Sequence, residues 1–342
     1  MRNIKNIKKK GFLKKTLIKI CRILGYEIID QSDFIFPVSN KHSNDNLSAL
    51  GKSSISIPLG KISISRPVKS LDIIVKTCTS VNLVTQNKMR IFERDKSEYT
   101  FRTINSLLNS INYNKNVFDK IKVKIIVIDH NSKKEDLALM KKNLEHSSVD
   151  YKIINLRTDK FSQIKTLNKN NLIIEKNMKS TMASIMESFN VARETSSDLV
   201  YFVEDDYIHK KDSLAEMIFT YEKVASITGK ELFLCPVDYP YLYKKAENTN
   251  ILIGHKYHWR SVNESLLTFL TSKEMLNRYW EELIKMCTEE HSPFETPLHK
   301  IFENEICLSP IPSLAMHCTN VNSIFGLSPN INWKKIWEDN KV

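Results

Sequence analysis

From Leu71 to Val237 the chain alternates short, nearly unbroken apolar runs with amphipathic stretches, and few folds satisfy that alternation. The runs are "LDIIVKT" (71–77), "KVKIIVID" (122–129), "DYKIINL" (150–156), "DLVYFVE" (198–204) and "ELFLCPV" (231–237). Each is short for a buried helix, so each reads as a strand covered on both faces. Between them lie helical stretches: "SEYTFRTINSLLNSI" (97–111), with Phe101, Ile104, Leu107, Leu108 and Ile111 on one face, "KEDLALMKKNL" (134–144) and "TMASIMESFNVARE" (181–194). A fourth, over about 211–227, carries Leu214, Met217, Ile218, Tyr221 and Val224 on its apolar stripe. Buried strands joined by helices make an α/β domain, a mainly parallel sheet with helices on both faces. Ligands of such sheets bind beyond the carboxyl ends of the strands. Thr77 and Cys78, Asp129, and the acids Glu204, Asp205 and Asp206 stand at those ends.

The net charge of +12 over 342 residues suggests a polyanion partner until it is mapped. Residues 1–22 hold nine of the 51 basic residues and no acid, which leaves 42 basic against 39 acidic residues elsewhere. That remainder is too even to track a nucleic-acid backbone, so no nucleic-acid partner is expected. In residues 1–30, Ile4, Ile7, Phe12, Leu13, Leu17, Ile20 and Leu24 line up among the lysines as an amphipathic basic helix. Through residues 1–24 it suits an anionic membrane surface, each Lys or Arg near the lipid contributing about 1 kcal/mol. Packing on its own domain is the alternative. Residues 31–66, rich in Ser, Asn, Pro and Gly, read as a linker or a wrapping extension, and residues 67–342 as the main domain. No apolar run reaches the ~18–20 residues that span a bilayer, and no secretory signal is visible. Six cysteines without CxxC spacing fit neither a zinc site nor a disulfide framework. The expectation is a cytoplasmic protein, peripheral on the inner face of the membrane if the basic helix docks.

Three adjacent carboxylates resist burial. A surface loop before the helix near residue 211 would carry them harmlessly. The other reading is a site for Mg²⁺ or Mn²⁺, hard cations that take one or two carboxylates and fill their shell with water and substrate phosphate.

Two segments carry a family likeness. "KVKIIVIDHNS" resembles the second strand of family 2-type glycosyltransferases of the GT-A fold, whose usual form ends V-D-D-G-S, and "SSDLVYFVEDDY" resembles their D-X-D segment. The likeness runs over roughly residues 70–320. It implies a nucleotide-binding half up to about residue 207 and an acceptor half from about residue 208. It places Asp129 at the nucleobase and assigns Asp206 to a metal that bridges the donor's diphosphate. Glu204 would reach the ribose or its waters, with Asp205 and Thr77 also lining the nucleotide. His130 and Asn131 depart from the pattern. In "PIPSLAMHC" (310–318), His317 stands where such enzymes complete the metal shell; His209, directly after the acids, is a weaker candidate. "GHKYHWRSVN" (254–263) offers Arg260 and Trp259 to the substrate, unless Trp259 is a buried anchor.

For the catalytic base, "HSPFETPLHKIF" (291–302) supplies Glu295, with Thr296 in place of the family's usual Asp. Ser292 to Glu295 is also a capping-box spacing, whereas Pro297 suits a helix that starts later and leaves Glu295 in the loop. Asp238 in "PVDYPY" is the runner-up. The implied activity is metal-dependent, inverting sugar transfer from a UDP- or GDP-sugar to a glycan or lipid-linked acceptor. Two rivals stand beside it: a sugar nucleotidyltransferase, which would need a Gly-rich loop after the first strand, and a membrane-surface adapter of the same fold without turnover.

Overall fold

The structure is a computed structural model that describes residues 12–26, 28, 48–56, 60–80, 92–165, 173, 176–244, 248–319 and 326–342. Two compact units form: Met1–Asp45 with Ile57–Gly60, and Asn46–Ser56 with Lys61–Val342. In the first, helix α1 (Phe12–Ile23) leaves Leu13, Leu17, Ile20 and Ile23 exposed. The rest of the basic segment's stripe, Ile4 and Ile7, and residues 29–47 of the Ser/Asn-rich stretch lie outside the described residues.

The chain then supplies strands β1 (Ser53–Ser56), β2 (Gly60–Ser63) and β3 (Ser70–Thr77), helices α2 (Lys96–Tyr113) and α3 (Lys115–Phe118), and strand β4 (Lys122–Asp129). Helix α4 (Lys134–Glu145), strand β5 (Asp150–Asn155), helix α5 (Lys176–Thr195) and strands β6 (Leu199–Glu204) and β7 (Tyr207–His209) follow. Next come α6 (Ser213–Thr228), β8 (Phe233–Leu234), β9 (Ile251–Ile253), β10 (His258–Ser261) and β11 (Phe269–Ser272). The chain closes with α7 (Lys273–Arg278), α8 (Trp280–Thr288), α9 (Thr296–Phe302), β12 (Cys307–Ile311), β13 (Ala315–His317) and α10 (Trp333–Asp339).

One nine-stranded sheet, ordered β5-β4-β3-β6-β11-β8-β12-β10-β9, forms the centre. Strand β3 pairs parallel with β4 and β6, β4 with β5, and β8 with β12. Only β11 and β10 run against the rest, each pairing antiparallel on both sides. The protein is therefore mixed α/β with a large, mostly parallel sheet. Side-chain alternation gives each face its own core. Ile73, Val75, Ile125, Val127 and Tyr201 pack with residues of α2, α3, α4 and α6, while Ile74, Ile126, Ile128, Val200 and Phe202 pack with those of α5, α7, α8 and α9.

Two elements depart from expectation. The strand expected over 231–237 is only Phe233–Leu234. Pro236 has no N–H to extend the ladder, and its carbonyl instead accepts Leu314 N (2.8 Å) and Ala315 N (3.1 Å), drawing β13 in. Helix α5 begins at Lys176, five residues before the expected start at Thr181.

The stretch 48–56 wraps α6: Gly51 N and Val68 N both donate to the Glu222 carboxylate, the latter at 2.7 Å. A second α6 acid, Glu216, organises the β9–β10 turn. Buried, it accepts the backbone N–H groups of His255, Lys256 and Tyr257 and the Trp259 indole N–H at 3.2 Å. Trp259 is fully buried, so it anchors this turn and presents no face to a sugar. The turn closes over Gly254, where a Cβ would stand 2.3 Å from Trp259 Nε1 and 2.5 Å from Thr220 Oγ1. Gly254→Ala should therefore destabilise the fold by about 1–3 kcal/mol in urea unfolding; wild-type stability in that variant would show that the turn is looser than this.

Candidate functional site

The three acids point three ways. Glu204 ends β6 opposite Lys76 of β3 in the parallel register, and Lys76 Nζ pairs with its Oε1 at 2.7 Å. Burial lifts this carboxyl, but Lys76 more than offsets it and holds Glu204 below its ordinary range. Asp205 turns to the opposite face. Lys96 Nζ in the first turn of α2 donates to its Oδ1 at 2.5 Å, and Thr100 Oγ1 (2.9 Å) and Cys78 N (3.3 Å) donate to its Oδ2. Asp205 is thus a buried clamp that ties the end of β6 to α2. Its carboxylate oxygens are engaged by Lys96, Thr100 and Cys78, whereas the expectation set it along the nucleotide.

Asp206 sits in the turn before β7 and pairs with neither lysine. Strand β13 runs antiparallel to β7 with His317 opposite Tyr207, and Cys318 N donates to Asp206 O at 2.9 Å. This register sets His317 Nε2 3.8 Å from Asp206 Oδ2. Burial, with like charge from Glu204 and Asp205, lifts the Asp206 carboxyl above its ordinary range despite His317 and Lys96. The imidazole is held by stacking on Tyr207 at 4.5 Å and by the edge-on ring of Tyr239 at 6.1 Å, whose phenols meet at 2.5 Å. Behind them Met316, Ile208 and Cys318 pack with Tyr99 and Trp337, so α10 braces the ladder.

His209, one turn on, faces inward. Tyr201 OH lies 2.6 Å from its Nε2 and Ser106 Oγ 3.2 Å from its Nδ1, and burial lowers its pKa to about 3. A neutral ring with both nitrogens engaged is a core residue, which removes it from the candidate ligands.

Across the sheet, Thr77 and Asp129 end neighbouring strands and meet: Thr77 Oγ1 donates to Asp129 Oδ1 at 2.8 Å, and Ser132 N approaches Oδ2 at 3.3 Å. Asn131 adopts φ +60°, a left-handed conformation that Asn tolerates with modest strain.

Asp238 and Arg260 form an ion pair between Asp238 Oδ1 and the Arg260 guanidinium, while Tyr243 OH donates to Asp238 Oδ2. Asp238 is wholly buried and Arg260 is 8% exposed. This enclosure between a guanidinium and a phenol places Glu295 ahead of Asp238 as the candidate base, and it turns Arg260 toward Asp238.

Glu295 occupies the N-cap position of α9, and its side chain makes no capping hydrogen bond; Pro297 stands in the first turn. The helix therefore starts later than the capping-box reading would have it. Glu295 lies near Tyr241, whose phenol is lifted by burial and, among its weaker influences, by the Glu295 charge. Tyr241 stacks on Tyr239 at 5.6 Å.

Among the described residues no group of three His, Cys, Asp or Glu side chains gathers closely enough to hold a metal by itself. Asp206 and His317 nevertheless suit a hard divalent ion that takes one carboxylate, one imidazole and substrate oxygens. Among the described residues the three acids face two paired lysines, an excess of one carboxylate that a cation would offset. The site residues that the sequence hid are Lys76, Lys96, Tyr207 and Tyr239. Lys76 left a trace, a lone cation inside an apolar strand. Lys96 comes from a helix far along the chain and left none.

No family model and no curated relative matches this chain. Among solved structures, the galactosyltransferase LgtC in complex with donor and acceptor sugar analogues is 11% identical with a TM-score of 0.37, over 67% of this chain and 70% of its own. TarS of S. aureus in complex with UDP is 10% identical with a TM-score of 0.35, over 64% and 55%. UDP-glucose pyrophosphorylase complexed with UDP-glucose is 6% identical with a TM-score of 0.36, over 73% and 93%. These neighbours are glycosyltransferases and a nucleotidyltransferase, and likenesses this distant settle neither family nor activity.

Proposed function

We propose that the chain is a glycosyltransferase of family 2 type and GT-A architecture. It moves a sugar from a UDP- or GDP-sugar to a glycan or lipid-linked acceptor with inversion. The observation that carries this is the Asp206–His317 pair: among the described residues Asp206 is the one acid of the three not paired with a lysine, and it stands beside an imidazole at the carboxyl end of a parallel sheet. Asp206 and His317 would hold Mn²⁺ or Mg²⁺, which when bound supplies Lewis-acid stabilisation of the leaving diphosphate. The Lys76–Glu204 and Lys96–Asp205 pairs fix the strand end that carries the seat. Thr77 and Asp129 shape the edge toward the nucleobase. Glu295 takes the proton of the acceptor hydroxyl as the sugar departs through an oxocarbenium-like transition state. A nucleotidyltransferase is disfavoured because "VKTCTSVNLV" after the first strand has no glycine to cradle a triphosphate.

The test is calorimetric titration of UDP and of GDP, each with and without Mn²⁺. Mn²⁺-dependent binding of one of them is expected. An absence of binding by UDP, GDP, CDP and dTDP alike would sink the proposal in favour of the adapter.

The acceptor class bears on α1, which carries Leu13 at 83%, Leu17 at 54% and Ile23 at 76% exposure beside Lys15, Lys19 and Arg22. Among the described residues no helix is long and apolar enough to cross a membrane. A basic helix with an exposed apolar stripe fits the plane of an anionic surface instead. Full-length protein should sediment with phosphatidylserine-containing vesicles, more weakly at about 0.5 M salt, and Leu17→Asp should release it. Equal sedimentation with neutral vesicles would refute the docking.

A further inference from the structure

We infer that Tyr243 is the stacking platform for a pyranose ring, a subsite for the acceptor sugar; this rests on the transferase reading. The inference begins with the buried Asp238–Arg260 pair. Burying an ion pair is a poor route to stability, since apolar residues of equal volume often do as well. Here both charges converge on one further side chain. Tyr243 OH donates to Asp238 Oδ2, and the Arg260 guanidinium lies 4.3 Å from the centre of the Tyr243 ring. The ring is thereby held at its tip and on one face by groups that are themselves buried. Tyr243 is nonetheless 54% exposed, so its exposed area is the opposite face and its edge. Its phenol is pushed up to about 12, by burial first and then by Asp238, so it stays a neutral donor at working pH.

An exposed tyrosine is ordinarily free to rotate, and ordering one costs entropy. This one has been ordered in advance, the condition under which an aromatic surface gains most from a ligand. Its position gives the ligand class. Tyr243 ends the single helical turn Pro240–Tyr243, which starts directly after Tyr239, the ring against His317. The same turn carries Tyr241, stacked on Tyr239. A planar apolar face one turn from the diphosphate seat suits the C–H face of a sugar, with the hydroxyls left to water and neighbouring polar groups. Arg260 Nε, buried and without a hydrogen-bond partner, keeps an unspent donor under the platform.

The experiment is saturation-transfer NMR on full-length protein with UDP and Mn²⁺, using methyl glucoside, galactoside, N-acetylglucosaminide and rhamnoside as probes. At least one should be saturated through its ring C–H protons. Tyr243→Ala should weaken it roughly tenfold, whereas Tyr243→Phe, which keeps the ring, should retain most of the signal. Calorimetry of UDP with Mn²⁺ on the same samples should be unchanged, which shows the variants folded and the donor seat intact. Saturation of none of the four sugars by wild type, or equal saturation by Tyr243→Ala, would overturn the platform. Sugar saturation without nucleotide binding would instead sink the transferase reading and leave the platform standing.

Discussion

On the transferase function proposed above, Asp206→Asn should remove Mn²⁺-dependent nucleotide binding and lower sugar transfer by roughly 10³-fold, the equivalent of the several kcal/mol that a bound Lewis acid contributes. The substitution keeps the shape of the side chain and removes only its charge. Asp206 is suited to the experiment because, among the described residues, its carboxylate meets His317 and pairs with no lysine. Glu204 and Asp205 each hold a lysine, at 2.7 Å and 2.5 Å, and Asp206 holds neither. The neighbouring variants should therefore behave differently. Asp205→Asn breaks the Lys96–Asp205 pair and loosens the tie of the end of β6 to α2, so its loss should register as instability. Breaking one partner of a buried pair costs about 3–5 kcal/mol. Calorimetry of UDP with Mn²⁺, paired with urea unfolding of both variants, separates the two. Nucleotide binding that survives Asp206→Asn would place the donor elsewhere.

This division of labour was only partly legible in the sequence. The alternation of apolar runs and amphipathic helices carried the parallel half of the sheet, because strands buried on both faces cannot disguise their composition. The antiparallel members β10 and β11 are four residues each and have no such run. Three adjacent acids announced a site, but the sequence could not say which of them was available. That depended on Lys76, in register across a strand pair, and on Lys96, delivered by helix packing. His317 and Asp206 lie 111 positions apart and meet because β13 pairs antiparallel with β7, with Pro236 O holding the start of β13. Trp259, Asp238 and Arg260 looked like substrate contacts for the reason that makes them good structural groups: aromatic area and paired charge serve buried anchors as well as sugars. Burial, which no motif encodes, separates the two uses.

Glu295→Gln should lower turnover by about 10²–10⁴-fold while leaving the affinity for UDP with Mn²⁺ unchanged. Glu295 stands at the N-cap position of α9, which begins at Thr296, and Thr296 Oγ1 donates to Pro293 O at 2.6 Å. From His317 the route to it runs over Tyr239, at 6.1 Å, and then over Tyr241, stacked a further 5.6 Å on and feeling the Glu295 charge. A base on the far side of the sugar from the leaving group is the arrangement that inverts the anomeric centre. The stereochemistry and the mutation therefore test one geometry by independent readouts. Proton NMR of the first product formed should show the anomeric configuration opposite to the donor's. Retained configuration, or a Glu295→Gln variant within about threefold of wild-type turnover, would move the base off α9.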